Sequence, residues 1–234
     1  MTANQTIRWL IKPAVFLTAL IPFALLLRGL LLTGDLGADP LQTVTDVTGL
    51  WTLRFLCITL AITPLRRLSG WNAAIRFRRM LGLFAFFYGT VHLLIFIVAD
   101  RLASMGFPSL LLWQTIRDLT ASIGGEIYKR PYITVGFTAW VFMLGLAATS
   151  TTGMIRRMGA RRWQALHRLI YPAAIAGVLH YWWLVKADVT DPRLYAVIVG
   201  VLLAFRIWWW ARSRAVAPER AARRRSQATP ASAD

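Results

Sequence analysis

The chain has 234 residues, of which 57% are hydrophobic and 16% charged, with a mean hydropathy of +0.52 and a net charge of +17. That balance excludes a disordered chain and argues against an ordinary soluble domain. In a soluble protein the excess of arginine would suggest nucleic acid. Here the arginines fall between apolar runs, so membrane orientation is the better reading and no nucleic-acid partner is predicted. The single cysteine, Cys57, lies in an apolar run. It leaves no disulfide framework, Cys-based zinc site, iron–sulfur centre or covalent c-type haem to build.

Six apolar segments follow in chain order: about 13–32, 47–64, 80–98, 132–149, 166–184 and 194–210. Each is close to the roughly 20 residues that cross a bilayer as a helix. The predicted fold is all-α, an integral membrane bundle of six transmembrane helices over residues 1–212. The basic stretch 213–234, rich in Arg, Ala and Ser, is predicted to be a disordered cytoplasmic tail that meets anionic membrane lipid. The first segment follows Arg8 and Lys12 and is read as a retained helix rather than a signal peptide. Its apolar run is long, and no small-residue cleavage site follows.

Lys and Arg outside the segments divide seventeen to six between alternate sides. The rich side holds the N-terminus, the 65–79 and 150–165 loops and the tail, so the positive-inside rule puts both termini in the cytoplasm. Trp51, Trp113, Trp163, Trp182, Trp183 and the run 208–210 cluster near segment ends, where interfacial anchors sit. The longest outer connection, 99–131, exceeds a plain turn. Its stretch 109–123 has helical spacing, which suits either a solvated cover for the bundle or a docking surface for an outer partner.

The segments contain almost no carboxylates, which counts against ion-coupled transport. They do contain three histidines, His92, His167 and His180, each costly in a membrane without a partner. Neutral imidazoles on two helices can clamp one haem iron. Depth sorts the three. His92 lies 13 residues beyond Arg79, and His180 lies 13 beyond His167, about 20 Å in each case. His92 and His180 therefore share a level in the outer half and form one complete bis-His site. His167 sits near the cytoplasmic face, level with Arg78 and Arg79.

Thirteen residues also leave His167 and His180 roughly 140° apart around a straight helix, so the two need not face one neighbour. His167 is open to three readings: a second haem ligand with a non-His partner, part of a flavin or quinone site, or an interfacial histidine. Arg78, Arg79, Arg161 and Arg162 suit either membrane topology or pairing with haem propionates or a flavin phosphate. Arg54, inside an apolar run, either snorkels or pairs with an anionic cofactor group.

The stretches RRMLGLFAFFYGTVH (78–92), ITPLRR (62–67), KRPYITVG (129–136) and ATSTTGMIRRMGARRWQALHRLIYPAAIAGVLHYWWLVK (148–186) carry a resemblance. Together they resemble the MsrQ (YedZ) family, the haem-binding membrane subunits of bacterial protein-methionine-sulfoxide reductase systems. That family falls in the wider group of ferric-reductase-like transmembrane domains, which includes the NADPH oxidases. The oxidases carry two histidines on each of two helices, whereas here Arg78 and Arg79 stand where the inner histidine of the third helix would be. Their NADPH- and FAD-binding domains have no counterpart in these 234 residues, so electrons are expected from a separate donor.

The resemblance implies a multi-pass protein of the bacterial inner membrane that carries haem b, with FMN associated. One haem is complete from the residues, and a second is left open at His167. The implied role is electron transfer rather than catalysis. Electrons would come from the quinone pool or a cytoplasmic flavin reductase and go to a periplasmic molybdenum-containing subunit that reduces methionine sulfoxide in envelope proteins. Two rivals use the same residues differently. A stand-alone cytochrome b reductase would pass electrons to ferric iron or oxygen without a partner. A transporter or assembly scaffold would hold its histidines for structure and bind no haem.

Overall fold

The computed structural model describes residues 2–97, 125, 129–185 and 189–228. The described residues are helical throughout, with no strand among them. We label the main helices α1 (Lys12–Arg28), α2 (Pro40–Ser69), α3 (Ile75–Ile95), α4 (Pro131–Ala148), α5 (Thr152–Leu166), α6 (Ile170–Leu184) and α7 (Thr190–Ala228). α1 is extended at both ends by π-helical turns, Ile7–Ile11 and Gly29–Thr33. The connection 99–131 with its expected helix at 109–123 lies almost wholly outside the described residues, so the docking surface expected there does too.

Local chemistry sets the helix ends. The Asp39 side chain caps α2 by accepting from the Gln42 N–H at 2.9 Å, Pro40 occupies its first turn, and Gly70 ends it with φ +71°. Pro131 opens α4. The buried residues of α3, namely Phe77, Leu81, Phe84, Ala85, Tyr88 and Gly89, recur at helical spacing and form one stripe. Ala139, Met143 and Leu146 do the same on α4, and Ile170, Ala173, Ala174 and Val178 on α6.

The packing has a simple plan. α2 lies along α3, and α4 lies along α6, each pair in extended contact; the pairs meet through α3–α4 and α2–α6. α1 covers α2 and α3 from outside, and α7 covers α2 and α6. Gly89 lets α3 come close to its neighbours: a Cβ there would meet the Met143 methyl at 3.0 Å and Thr52 at 3.3 Å. Large apolar side chains on α1 and α7, among them Phe16, Leu17, Leu25, Val197, Val201 and Trp210, point outward and are exposed. Such a surface is unsuited to water and suited to lipid.

Every predicted apolar segment falls on a helix. Four helices are long and apolar enough to cross a membrane: Asn4–Thr33, Pro40–Ser69, Pro131–Ala148 and Thr190–Ala215. The other two segments differ for local reasons. α3 carries Arg76, Arg78 and Arg79 in its first turns, and the 166–184 segment is split by a 3-10 turn, His167–Leu169, which leaves α6 with 15 residues.

Two stretches read as irregular are helical. The 150–165 loop forms α5, capped by Thr151 accepting from the Met154 N–H at 3.2 Å and broken at Gly159, where φ is +75°. α7 continues to Ala228, through much of the stretch assigned to a disordered tail. Ala and Arg dominate there and are good helix formers.

Tyr88 ties the outer helix to the core. Its side chain is fully buried, and its hydroxyl donates to the Ala19 carbonyl at 2.8 Å and accepts from the Phe23 N–H at 3.2 Å. Both groups belong to the turn of α1 around Pro22, which lacks a backbone N–H. Tyr88→Phe removes one hydroxyl from two buried backbone groups. We expect a loss of about 1–3 kcal/mol, read as a lower thermal midpoint of the detergent-solubilised protein, with Phe87→Leu as a volume control.

Candidate haem site and second cavity

The structure brings the rings of His92 of α3 and His180 of α6 together, with centres 6.1 Å apart and planes crossed at 84°. Each ring is anchored through Nδ1 to a backbone carbonyl: His92 to Thr45 at 3.0 Å, and His180 to Tyr132 at 2.7 Å. A carbonyl only accepts, so each Nδ1 carries the proton and each Nε2 keeps its lone pair. No hydrogen bond to either Nε2 occurs among the described residues. The fully buried Thr48 hydroxyl stands 3.5 Å from Nδ1 of His92 and donates to the Val44 carbonyl at 2.7 Å.

The two anchors follow one pattern. The carbonyl that holds His92 lies on Thr45, and Gly49 follows four residues later. The carbonyl that holds His180 lies on Tyr132, and Gly136 follows four residues later. In a helix the oxygen of residue i points toward residue i+4, so a ring that reaches that oxygen passes alongside residue i+4. A Cβ on Gly49 would come within 3.2 Å of the His92 ring, and one on Gly136 within 2.5 Å of Nδ1 of His180. Close approach thus requires glycine at position 136, and at position 49 a Cβ would fit only if the His92 ring gave way by a few tenths of an ångström. Gly49, Gly136 and the two carbonyls escape a search for ligand residue types. Their signal in the sequence is the spacing T-x-x-x-G and Y-x-x-x-G on helices that neighbour a histidine.

The separation of the two rings is compatible with their holding one metal ion between them. Two imidazoles with metal–nitrogen bonds of about 2 Å have ring centres on the order of 6 Å apart, and their planes are free to cross. Nε2 is also the nitrogen that each anchor leaves available, the usual arrangement for a histidine ligand.

His167 lies elsewhere. It caps α5, donates Nδ1–H to the Trp163 carbonyl at 3.1 Å, stacks on the Trp163 ring at 3.8 Å and places Nε2 3.5 Å from the Ser150 hydroxyl. It faces a cavity of about 470 Å³ whose wall includes Arg78, Arg79, Arg168, Tyr171 and Thr59. Among the described residues no carboxylate lines that cavity, and the buried Thr59 hydroxyl has no hydrogen-bond partner. Three arginines, a histidine and an uncommitted hydroxyl suit a ligand with anionic oxygens. Thr48 and Thr59, on one helix, mark the two sites, about 16 Å apart along the axis.

Arg161 and Arg162, on α5, do not line the cavity. Arg54 joins neither site. Its Nε donates to the Tyr195 hydroxyl at 3.1 Å, and its guanidinium lies over the Trp51 ring at 4.8 Å.

The family model of the ferric reductase like transmembrane component matches residues 48–178. The match includes His92 and His167 and ends two residues before His180. Curated relatives refine the assignment. The protein-methionine-sulfoxide reductase heme-binding subunit MsrQ of Ralstonia nicotianae is 51% identical over 207 residues, covering 87% of this chain and 88% of the relative. Its counterpart in Herminiimonas arsenicoxydans is 48% identical over 202 residues, covering 86% and 85%. That of Xanthomonas euvesicatoria pv. vesicatoria is 50% identical over 196 residues, covering 84% and 80%. This chain belongs to the MsrQ family.

Proposed function

We propose that the protein is the haem b-binding, electron-transferring membrane subunit of a protein-methionine-sulfoxide reductase system. The observation that carries this reading is the His92–His180 pair, with both Nδ1 atoms committed to carbonyls and both Nε2 atoms free. The family name carried by the relatives supports the haem and the system.

His92 and His180 would hold the haem iron through their Nε2 atoms. Haem b bound between them supplies a one-electron carrier. The Thr45 and Tyr132 carbonyls hold both rings in the ligating tautomer and fix their direction. Gly49 and Gly136 give the rings room. Arg78, Arg79 and His167 hold a second cofactor at the other end, through its phosphate if it is FMN or its propionates if it is a second haem.

The chain spans the bacterial inner membrane six times with both termini cytoplasmic, a reading supported by the charge asymmetry. The His92–His180 end then faces the periplasm, beside a molybdenum-containing catalytic subunit, and the arginine cavity faces the donor side. The donor is the quinone pool or a cytoplasmic flavin reductase. Methionine sulfoxide reduction itself takes place on the partner.

His92→Ala and His180→Ala are each expected to remove most haem from the purified protein, assayed as pyridine haemochrome and as split α and β bands after dithionite. His167→Ala leaves that haem in place and changes flavin content or donor use. Loss of all haem in His167→Ala with full retention in His92→Ala would sink the pairing.

Gly136→Ala pushes on the His180 ring and is expected to weaken haem binding about tenfold or more. Unchanged haem content would remove the glycine from the site. For topology, single cysteines at positions 2, 71 and 159 in a Cys57→Ser background are predicted to resist a membrane-impermeant thiol reagent in intact spheroplasts. Cysteines at 37 and 189 are predicted to react.

A further inference from the structure

Arg206 lies on α7 within the apolar stretch 194–210, where an arginine is costly and needs partners. It has two. Nη2 donates to the Leu60 carbonyl at 2.7 Å, and Nη1 donates to the Tyr171 hydroxyl at 2.9 Å. Its guanidinium also lies 5.1 Å from the centre of the Tyr171 ring. Leu60 is four residues before Pro64, inside α2. The N–H that would take the Leu60 carbonyl does not exist in proline, so that oxygen is left for Arg206. One side chain on α7 thus repairs a helix defect on α2 and holds a tyrosine at the head of α6.

Tyr171 is part of the wall of the arginine cavity. Its oxygen accepts from Arg206, and its hydrogen has no acceptor among the described residues. The Thr59 hydroxyl, on the same wall, is buried without a partner. Arg67 and Arg78, both cationic, interact electrostatically with Arg206 and Tyr171. Two residues with hydroxyl donors, Thr59 and Tyr171, and three arginines, Arg78, Arg79 and Arg168, therefore line one space that has no carboxylate among the described residues.

We propose that Arg206 is a positioning residue for this cavity. It fixes Tyr171 so that the phenol, together with Thr59, donates to anionic oxygens of a ligand that Arg78 and Arg79 hold. The proposal rests on the reading of the cavity as a cofactor site. The ligand chemistry it requires is a phosphate or carboxylate on a flat redox group, which either a flavin mononucleotide or the propionates of a haem would supply.

The test uses the full-length protein in detergent with five variants: Arg78→Gln, Arg206→Gln, Arg206→Lys, Tyr171→Phe and the double variant Pro64→Ala/Arg206→Gln. FMN affinity is measured by quenching of flavin fluorescence, and haem per chain by pyridine haemochrome, so the two ligand sources are separated. Tyr171→Phe and Arg206→Gln are each expected to weaken the ligand of the cavity about tenfold, with the bands of the His92–His180 haem unchanged. Pro64→Ala restores the missing N–H, so the double variant regains thermal stability but not affinity, while Arg206→Lys regains part of it.

Recovery of affinity in the double variant would overturn the proposal, because the arginine would then act only by repairing α2. So would weakened binding in Arg78→Gln with Arg206→Gln and Tyr171→Phe both within twofold of wild type. If the wild-type protein takes up neither FMN nor a haem beyond the His92–His180 one, the cofactor reading of the cavity fails and the proposal falls with it.

Discussion

The hydrogen bonds from Nδ1 of His92 to the Thr45 carbonyl and from Nδ1 of His180 to the Tyr132 carbonyl govern the rest of the site. They decide which nitrogen carries a proton, which is free, and where each ring points. They also dictate the sequence around them. A ring that reaches a helix carbonyl passes beside the residue one turn further on, so that residue favours glycine, strictly at 136 and less strictly at 49. Gly49 and Gly136 are therefore consequences of the hydrogen bonds, as are the close packing of α2 on α3 and of α4 on α6.

The same rule, that a polar group in an apolar bundle must find its partner inside it, explains the other intramembrane contacts. Tyr88 serves the backbone of α1 beside Pro22, and Arg206 serves the carbonyl that Pro64 leaves open. The Trp140 indole donates to Thr90 at 3.1 Å and joins α4 to α3. The arginine cavity departs from this economy. It gathers positive charge and an unpartnered hydroxyl without a carboxylate, and that imbalance sets it apart from a merely structural void.

Much of this was legible in the sequence, and the rest was not for identifiable reasons. Apolar length located every helix that holds a site residue. Rise per residue brought His92 and His180 to one level and set His167 apart, because distance along a helix axis depends on the chain alone. Rotation about that axis and the choice of neighbour do not, so nothing in the sequence announced that Thr45 and Tyr132 would hold the rings. Pro64 signals a free carbonyl four residues earlier, but its donor is 146 residues away. α5 was hidden by its charge: a run of arginines reads as a loop, and only the Thr151 cap and the break at Gly159 reveal two short helical pieces.

The division of the bundle into two close helix pairs bears on how the protein is made. Each imidazole and its anchoring carbonyl belong to one pair: His92 and Thr45 to α2–α3, His180 and Tyr132 to α4–α6. During synthesis the first half-site is complete in its own hydrogen bonds once residue 95 has emerged, long before the second exists. What remains is the meeting of two finished halves across the α3–α4 and α2–α6 contacts. If His92 and His180 hold the proposed haem, a group that bridges their two Nε2 atoms would act as the rivet that locks the halves together.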